Sequence, residues 1–165
     1  MKIREAKIED AVELLEVIKN VEESGNMLFE PGERTISIEG VKQMIGRLNE
    51  SPKGALLVAI ENQYLLGYMV VKVDHPKRVS HRAYVAVGVH SEFRGRGVGT
   101  ELFYKLFELA EQQQIHRLEL TVLTTNEAAL NLYKKMGFKI EGLKKDSLCI
   151  NEEYEDEFSL SKLIG

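Results

Sequence analysis

A single cysteine, Cys149, stands in 165 residues. No intrachain disulfide can form, and no thiolate cluster can hold a metal. A lone thiol suits a reducing compartment. No apolar run approaches the roughly 20 residues that a membrane-spanning helix needs. The opening residues Met1-Lys2-Ile3-Arg4-Glu5-Ala6 carry charge where a secretory leader has its apolar stretch. Together these absences predict a cytoplasmic protein with no membrane partner. Internal repeats, low-complexity tracts and linkers rich in Pro, Gly or Ser are also missing. The expectation is one domain over residues 1–165. Positive charge is in deficit as well: 22 Lys and Arg face 26 Asp and Glu, for a net charge of −4 and a pI near 5.7. That balance argues against a nucleic-acid partner. The histidines, His75, His81, His90 and His116, show no metal-ligand spacing, so no metal is expected.

Apolar residues make up 44% and charged residues 29%, the balance of a globular protein with a sizeable core. Residues 2–6 read as a first strand. Asp10, with Glu13 three residues on, reads as the cap of a helix whose stripe is Ala11, Leu14, Leu15 and Ile18. Ser37 reads as the cap of a second helix, with Val41, Met44, Ile45 and Leu48 as its stripe. Residues 55–60 and 65–73 read as a hairpin around Glu61-Asn62-Gln63. A loop follows over 74–80. Residues 82–89 form a strand apolar on both faces, which predicts a central place in the sheet. Helices are expected after Gly99 and over 127–136, the second ended by Gly137. Strands are expected over 118–123, 138–143 and 154–160. The order is β-α-α-β-β-β-α-β-α-β-β, an α/β fold whose mixed central sheet is flanked by helices.

Arg94-Gly95-Arg96-Gly97-Val98-Gly99-Thr100 lies between the central strand and a helix. A helix N-terminus presents unpaired N–H groups and the positive end of a dipole, and glycines let backbone come close to a ligand. The turn therefore suits an anion such as a pyrophosphate. It lacks the Gly-Lys-Ser/Thr ending of a Walker loop. Its glycines also miss the dinucleotide spacing, with Thr100 or Leu102 where a third glycine belongs.

Arg94-x-x-Gly97-x-Gly99 resembles the Arg/Gln-x-x-Gly-x-Gly/Ala motif of the GNAT superfamily of acetyl-CoA-dependent N-acetyltransferases. Asn126-Glu127-Ala128-Ala129-Leu130-Asn131-Leu132-Tyr133-Lys134-Lys135-Met136-Gly137-Phe138 is similar to the second hallmark of that family. The motifs stand in the family's order, and the resemblance covers nearly the whole chain. It implies the GNAT fold and acetyl-CoA as co-substrate, with no metal. The acceptor it implies is a primary amine on an amino acid, a polyamine, a protein N-terminus or another small amine. It further implies that backbone groups of Val87 and Val89 hold the pantetheine, with Val89 N–H as the oxyanion donor. Arg94 and the turn Gly95, Arg96, Gly97, Val98, Gly99 and Thr100 would hold the pyrophosphate, Asn126 the arm near the thioester, and Tyr133 the sulfur. Dimers are common in the family, and the last strands could supply a homodimer interface.

Acetyl transfer needs a neutral amine, an oxyanion donor and a group that handles the departing thiolate. Tyr133 is the candidate acid, although its helical spacing also fits a core tyrosine. The base is less defined. The positions where family members carry a glutamate correspond to Thr121 and Ala83 here. Glu23, Glu30 and Glu33 in the loop between the first two helices remain, as does a water relay. Glu30 is the preferred candidate, as base or as anchor for the amine. His90 ends the central strand and could relay a proton. Cys149, away from the motifs, reads as a structural thiol. The acidic run over 152–157 reads as a solvated face or an acceptor wall for a cationic amine. A non-catalytic acyl-CoA binding or sensing module is the alternative: Asn126 and Tyr133 argue against it, and the missing carboxylate at Thr121 argues for it.

Overall fold

A computed structural model describes residues 1–73 and 76–165. His75 and part of the expected 74–80 loop lie outside the described residues. The chain runs β1 (Lys2–Glu5), α1 (Ala11–Glu22), α2 (Ile38–Glu50), β2 (Ala55–Glu61), β3 (Tyr64–Val73), β4 (Arg82–Val89), α3 (Val98–Gln112), β5 (Arg117–Leu123), α4 (Glu127–Lys135), β6 (Lys139–Ile150) and β7 (Glu153–Leu163). Short 3₁₀ turns at Ile8–Asp10, Lys77–Val79 and Ser91–Phe93 punctuate it. The strands form one seven-stranded sheet in the order β1-β2-β3-β4-β5-β7-β6.

Alternation along β2 shows how the layers are made. Ala55, Leu57 and Ala59 enter one apolar cluster with α3 and the end of α4. Leu56 and Val58 enter a second cluster with α1 and α2. Successive side chains of a strand point to opposite faces, so a strand buried on both needs helices on both. Each large side chain sealed this way stabilises the fold by about 1.5–3 kcal/mol. Phe103 of α3, 0% exposed, packs edge-on to Tyr133 and Phe138 at 5.8 and 5.5 Å.

Local signals account for most boundaries. Ser37 Oγ accepts from Gly40 N–H at 3.0 Å and starts α2. Asn62 and Gln63, both at positive φ, turn β2 into β3. Gly137, at φ 93°, follows α4: its N–H bonds Lys134 C=O while Phe138 N–H bonds Tyr133 C=O. This is a Schellman cap, and it needs a left-handed residue at that point.

Two expectations are corrected. Asp10 does not cap α1 with its side chain. Its carboxylate accepts from Lys7 N–H at 2.7 Å and from the Arg4 guanidinium at 2.7 and 3.0 Å, closing the 3₁₀ turn before the helix. The last two strands are longer than expected, because β6 is irregular. Its register to β7 shifts between Ile140 and Gly142 and again between Lys144 and Leu148, and Asp146 sits at positive φ. Such bulges erase the alternation from which a strand is read.

β4 does stand in the middle of the sheet, but it is not sealed along its length. It pairs antiparallel with β3 from Ala83 to Val89. Its parallel pairing with β5 spans only Arg82–Arg117, Ala83–Leu118 and Tyr84–Glu119. Beyond Tyr84 the two strands part.

Candidate active site

Where β4 and β5 part, a cleft of about 990 Å³ opens. Residues 84–89 of β4 form one wall, and Thr121, Val122 and Leu123 of β5 the other. The glycine turn lies at one end and the start of α4 at its side. At the opening of the gap the Tyr84 hydroxyl and Thr121 Oγ1 are 3.1 Å apart.

The glycine turn leaves backbone N–H groups without helical partners. Gly97 sits at φ 82° as the residue before α3, a conformation that costs an L-residue roughly 1–2 kcal/mol. The first helical bond is made by Glu101 N–H, to Gly97 C=O at 3.0 Å. The N–H groups of Val98, Gly99 and Thr100 therefore have no carbonyl four residues back. Space beside Gly95 and Gly97 is open, with no heavy atom within 4 Å of where a Cβ would stand. Arg94, Gly95, Gly97, Val98, Gly99 and Thr100 all line the cleft. The Arg96 side chain turns away: it pairs with Glu61 at 2.6 Å and covers the Phe93 ring.

On the facing side, Asn126 Oδ1 accepts from Ala129 N–H at 3.3 Å and caps α4, and the residue lines the cleft. Tyr133, two turns on, is 8% exposed and also lines the cleft. Burial, with a smaller push from Tyr84, raises its phenol to about 12. Helical spacing suggested a core residue, and the motif suggested a site residue. The ring packs on Phe103 and Phe138, and the residue still reaches the cleft.

Several sequence candidates stand elsewhere. Glu30 is exposed and is not part of the cleft wall; its backbone N–H donates to Glu33 Oε1 at 3.2 Å. Glu23 and Glu33 are also exposed and outside it. Ala83 is fully buried in the core. His90 lines a separate surface pocket, where its Nδ1 accepts from Glu92 N–H at 3.1 Å and starts a 3₁₀ turn. Cys149 is exposed, opposite Tyr154 near the β6–β7 turn. Among the described residues no cluster of His, Cys, Asp or Glu could hold a metal ion.

Among the described residues, the carboxylates that do face the cleft are Glu22 and Glu157, and neither is singled out by the motifs. Glu22 ends α1, is 4% exposed, and pairs with Arg34 at 2.6 Å. The sequence does hold a signal for it. Ala11, Leu14, Leu15 and Ile18 set the buried phase of α1, and three and four residues on fall Val21 and Glu22. A charge on a buried helical phase needs a partner. Arg34 supplies it from the loop, with its guanidinium 4.5 Å above the Phe29 ring. Arg34 Nε is buried without an acceptor among the described residues, which costs on the order of 1–3 kcal/mol for a buried donor. Glu157 Oε1 accepts from Ser147 Oγ at 2.6 Å.

Tyr68, 5% exposed, stands beside this pair. Burial, then the nearby Glu22 charge, pushes its phenol to about 12, against a smaller opposing pull from Arg34. Unfolded tyrosines ionise near 10. Between pH 10 and 12 the unfolded chain has lost protons that the folded chain keeps, so stability falls as pH rises through that window. Tyr68 and Tyr133 should each account for about 2–3 kcal/mol of the loss by pH 12. Thermal unfolding followed by circular dichroism from pH 8 to 12 checks this. Replacing Tyr68 by Phe should flatten the fall, and an unchanged slope would remove burial of Tyr68 as a cause.

The profile of the Acetyltransferase (GNAT) family matches residues 22–138. An L-amino acid N-acetyltransferase of Escherichia coli (strain K12) is 33% identical over 118 residues, covering 71% of this chain and 73% of that one. The crystal structure of an acetyltransferase of the GNAT family from Streptococcus pneumoniae superposes with a TM-score of 0.93 at 30% identity, covering 99% of both chains. A ribosomal-protein-alanine N-acetyltransferase from Brucella melitensis gives 0.89 at 25% identity, over 99% of this chain and 100% of that one.

Proposed function

The chain belongs to the Acetyltransferase (GNAT) family and is an acyltransferase, and from that premise we propose that it moves acetyl from acetyl-CoA onto a primary amine by direct attack. The carrying observation is the parting of β4 and β5, because the glycine turn, Asn126 and Tyr133 all open onto that one gap. In this reading residues 1–165 work as one N-acetyltransferase domain. The exposed thiol of Cys149 suits the reducing cytoplasm.

The residues present fit acetyl-CoA. The free N–H groups of residues 98–100, aided by Arg94, suit its pyrophosphate. The backbone of Val87 and Val89, facing the gap rather than β5, suits its amide-bearing arm. Acetyl-CoA supplies an acetyl carbon activated as a thioester. The neutral amine nitrogen bonds to that carbon, the carbon–sulfur bond breaks, and the amine's proton leaves to water or a cleft carboxylate. Val89 N–H is the assigned donor to the oxygen that gains charge. Tyr133 faces the departing sulfur. A phenol held near 12 stays protonated at every working pH. Full transfer to a thiolate with an ordinary pKa near 8.5 is uphill by about 3–4 pKa units, so Tyr133 acts by hydrogen bonding to the leaving sulfur.

The pH dependence follows. Tyr133 should impose no alkaline decline below pH 10. The rate should climb about tenfold per pH unit as long as the free amine is the scarce species, that is, below the acceptor's own pKa, which is near 10.4 for an alkylamine and lower for an α-amine. Initial rates at subsaturating amine between pH 6.5 and 10 check this. A descending limb near pH 8 would contradict the assignment.

The reading itself is tested by thiol release from acetyl-CoA across amino acids, polyamines, small amines and peptides at pH 7 to 9. Release with at least one class is expected. CoA binding with silence across the whole panel would overturn transfer in favour of a sensing module.

A further inference from the structure

The Glu22–Arg34 pair lines the same cleft as the glycine turn, Asn126 and Tyr133. Tyr68 links the pair to β4: a Cβ on Gly88 would lie 2.8 Å from the Tyr68 ring and 2.9 Å from Val21. The ring therefore lies close over Gly88, on the face of the sheet that α1 covers, and Glu22 follows Val21 at the end of α1. Both Glu22 and Arg34 line the cleft. One carboxylate oxygen and one guanidinium nitrogen meet at 2.6 Å. A carboxylate accepts through both oxygens and a guanidinium donates through five N–H groups, so each partner keeps capacity to spare. The guanidinium carbon stands 4.5 Å from the Phe29 ring centroid, and Arg34 Nε has no acceptor among the described residues.

Resting on the acetyl-transfer reading, we infer that this pair recognises the acceptor, and that the acceptor is a free α-amino acid. Its amino group meets Glu22 and its carboxylate meets Arg34. The zwitterion and the ion pair then alternate in sign around one ring of four groups, an arrangement that charge-assisted hydrogen bonds favour. A peptide N-terminus offers an uncharged amide where the carboxylate belongs, and a simple alkylamine offers nothing there. Met27, Leu28 and Met44 also line the cleft, so the side chain the proposed acceptor carries is apolar.

The test compares leucine with leucinamide, 3-methylbutylamine and the dipeptide Leu-Gly. Turnover is read as kcat/KM, and binding by calorimetry on protein saturated with CoA. Leucine should exceed each of the others by about 10- to 100-fold in both measurements, the range for a lost hydrogen bond to a charged group. Arg34→Gln should bring that ratio close to one, with circular dichroism and CoA affinity reporting whether the variant is folded. Equal kcat/KM for all four in the wild type would overturn this inference and leave acetyl transfer standing. Leucine-selective binding without thiol release would overturn acetyl transfer, and with it the acceptor role, leaving the pair as an amino-acid binding site only. Failure of leucine to bind the CoA-loaded protein would overturn the inference outright.

Discussion

Tyr133→Phe should lower kcat by about 100-fold, the scale on which removing one donor to developing charge slows an enzyme. The KM for acetyl-CoA should change little. The ring stays, and with it the contacts to Phe103 and Phe138 that hold α4 against α3. The hydroxyl bonds no partner among the described residues, so its loss leaves no buried group stranded, and stability near neutral pH should be preserved. Steady-state kinetics with calorimetry for CoA separate the effects. If turnover were unchanged, Tyr133 would be a core residue that happens to touch the cleft. If kcat and CoA affinity fell together, the hydroxyl would be holding the donor rather than assisting the leaving sulfur.

Gly97→Asp should abolish donor binding while leaving the fold intact. Gly97 precedes α3 in a left-handed conformation, and aspartate is among the few L-residues that tolerate it. A negative charge there is also favourable to the helix dipole. The substitution is thus mild for the chain. It is severe for a pyrophosphate, because the carboxylate would occupy the open space beside the free N–H groups and repel like charge. Like-charge juxtaposition costs several kcal/mol, so CoA affinity should fall by more than about 100-fold. Calorimetry for CoA, paired with thermal unfolding, reads both halves. Retained affinity would mean that the anion is held elsewhere.

What was legible in the sequence was what is local. The glycine turn and the stretch from Asn126 to Phe138 each place their functional groups within a dozen residues. Their geometry follows from helix starts, caps and periodicity. The α1–α2 side of the cleft was not legible in that way. Glu22 and Arg34 meet across a loop, and no spacing rule pairs a helix-end glutamate with a loop arginine twelve residues on. Glu30 drew notice as an acid in the right loop, yet the loop turns it to solvent. Glu22 carried the better clue, its phase on α1, which periodicity reveals only when polar residues are held to the same count as apolar ones. The full length of the β6–β7 hairpin hid for a different reason. Its bulges break the alternation, and the Lys144-Lys145-Asp146 stretch reads as loop.

The three-rung join between β4 and β5 gives the sheet a seam. A continuous sheet spreads load from strand to strand through its backbone ladder. Here the ladder stops at Tyr84, and beyond it the two leaves are tied mainly by α3, α4 and the side chains packed beneath them. A thioester arm lying in that gap would bring amide groups of its own to the unladdered edge of β4 and fill the role of a missing strand. The ligand would then be part of the architecture as well as the chemistry, a borrowed rib that stiffens the molecule for as long as the donor is held.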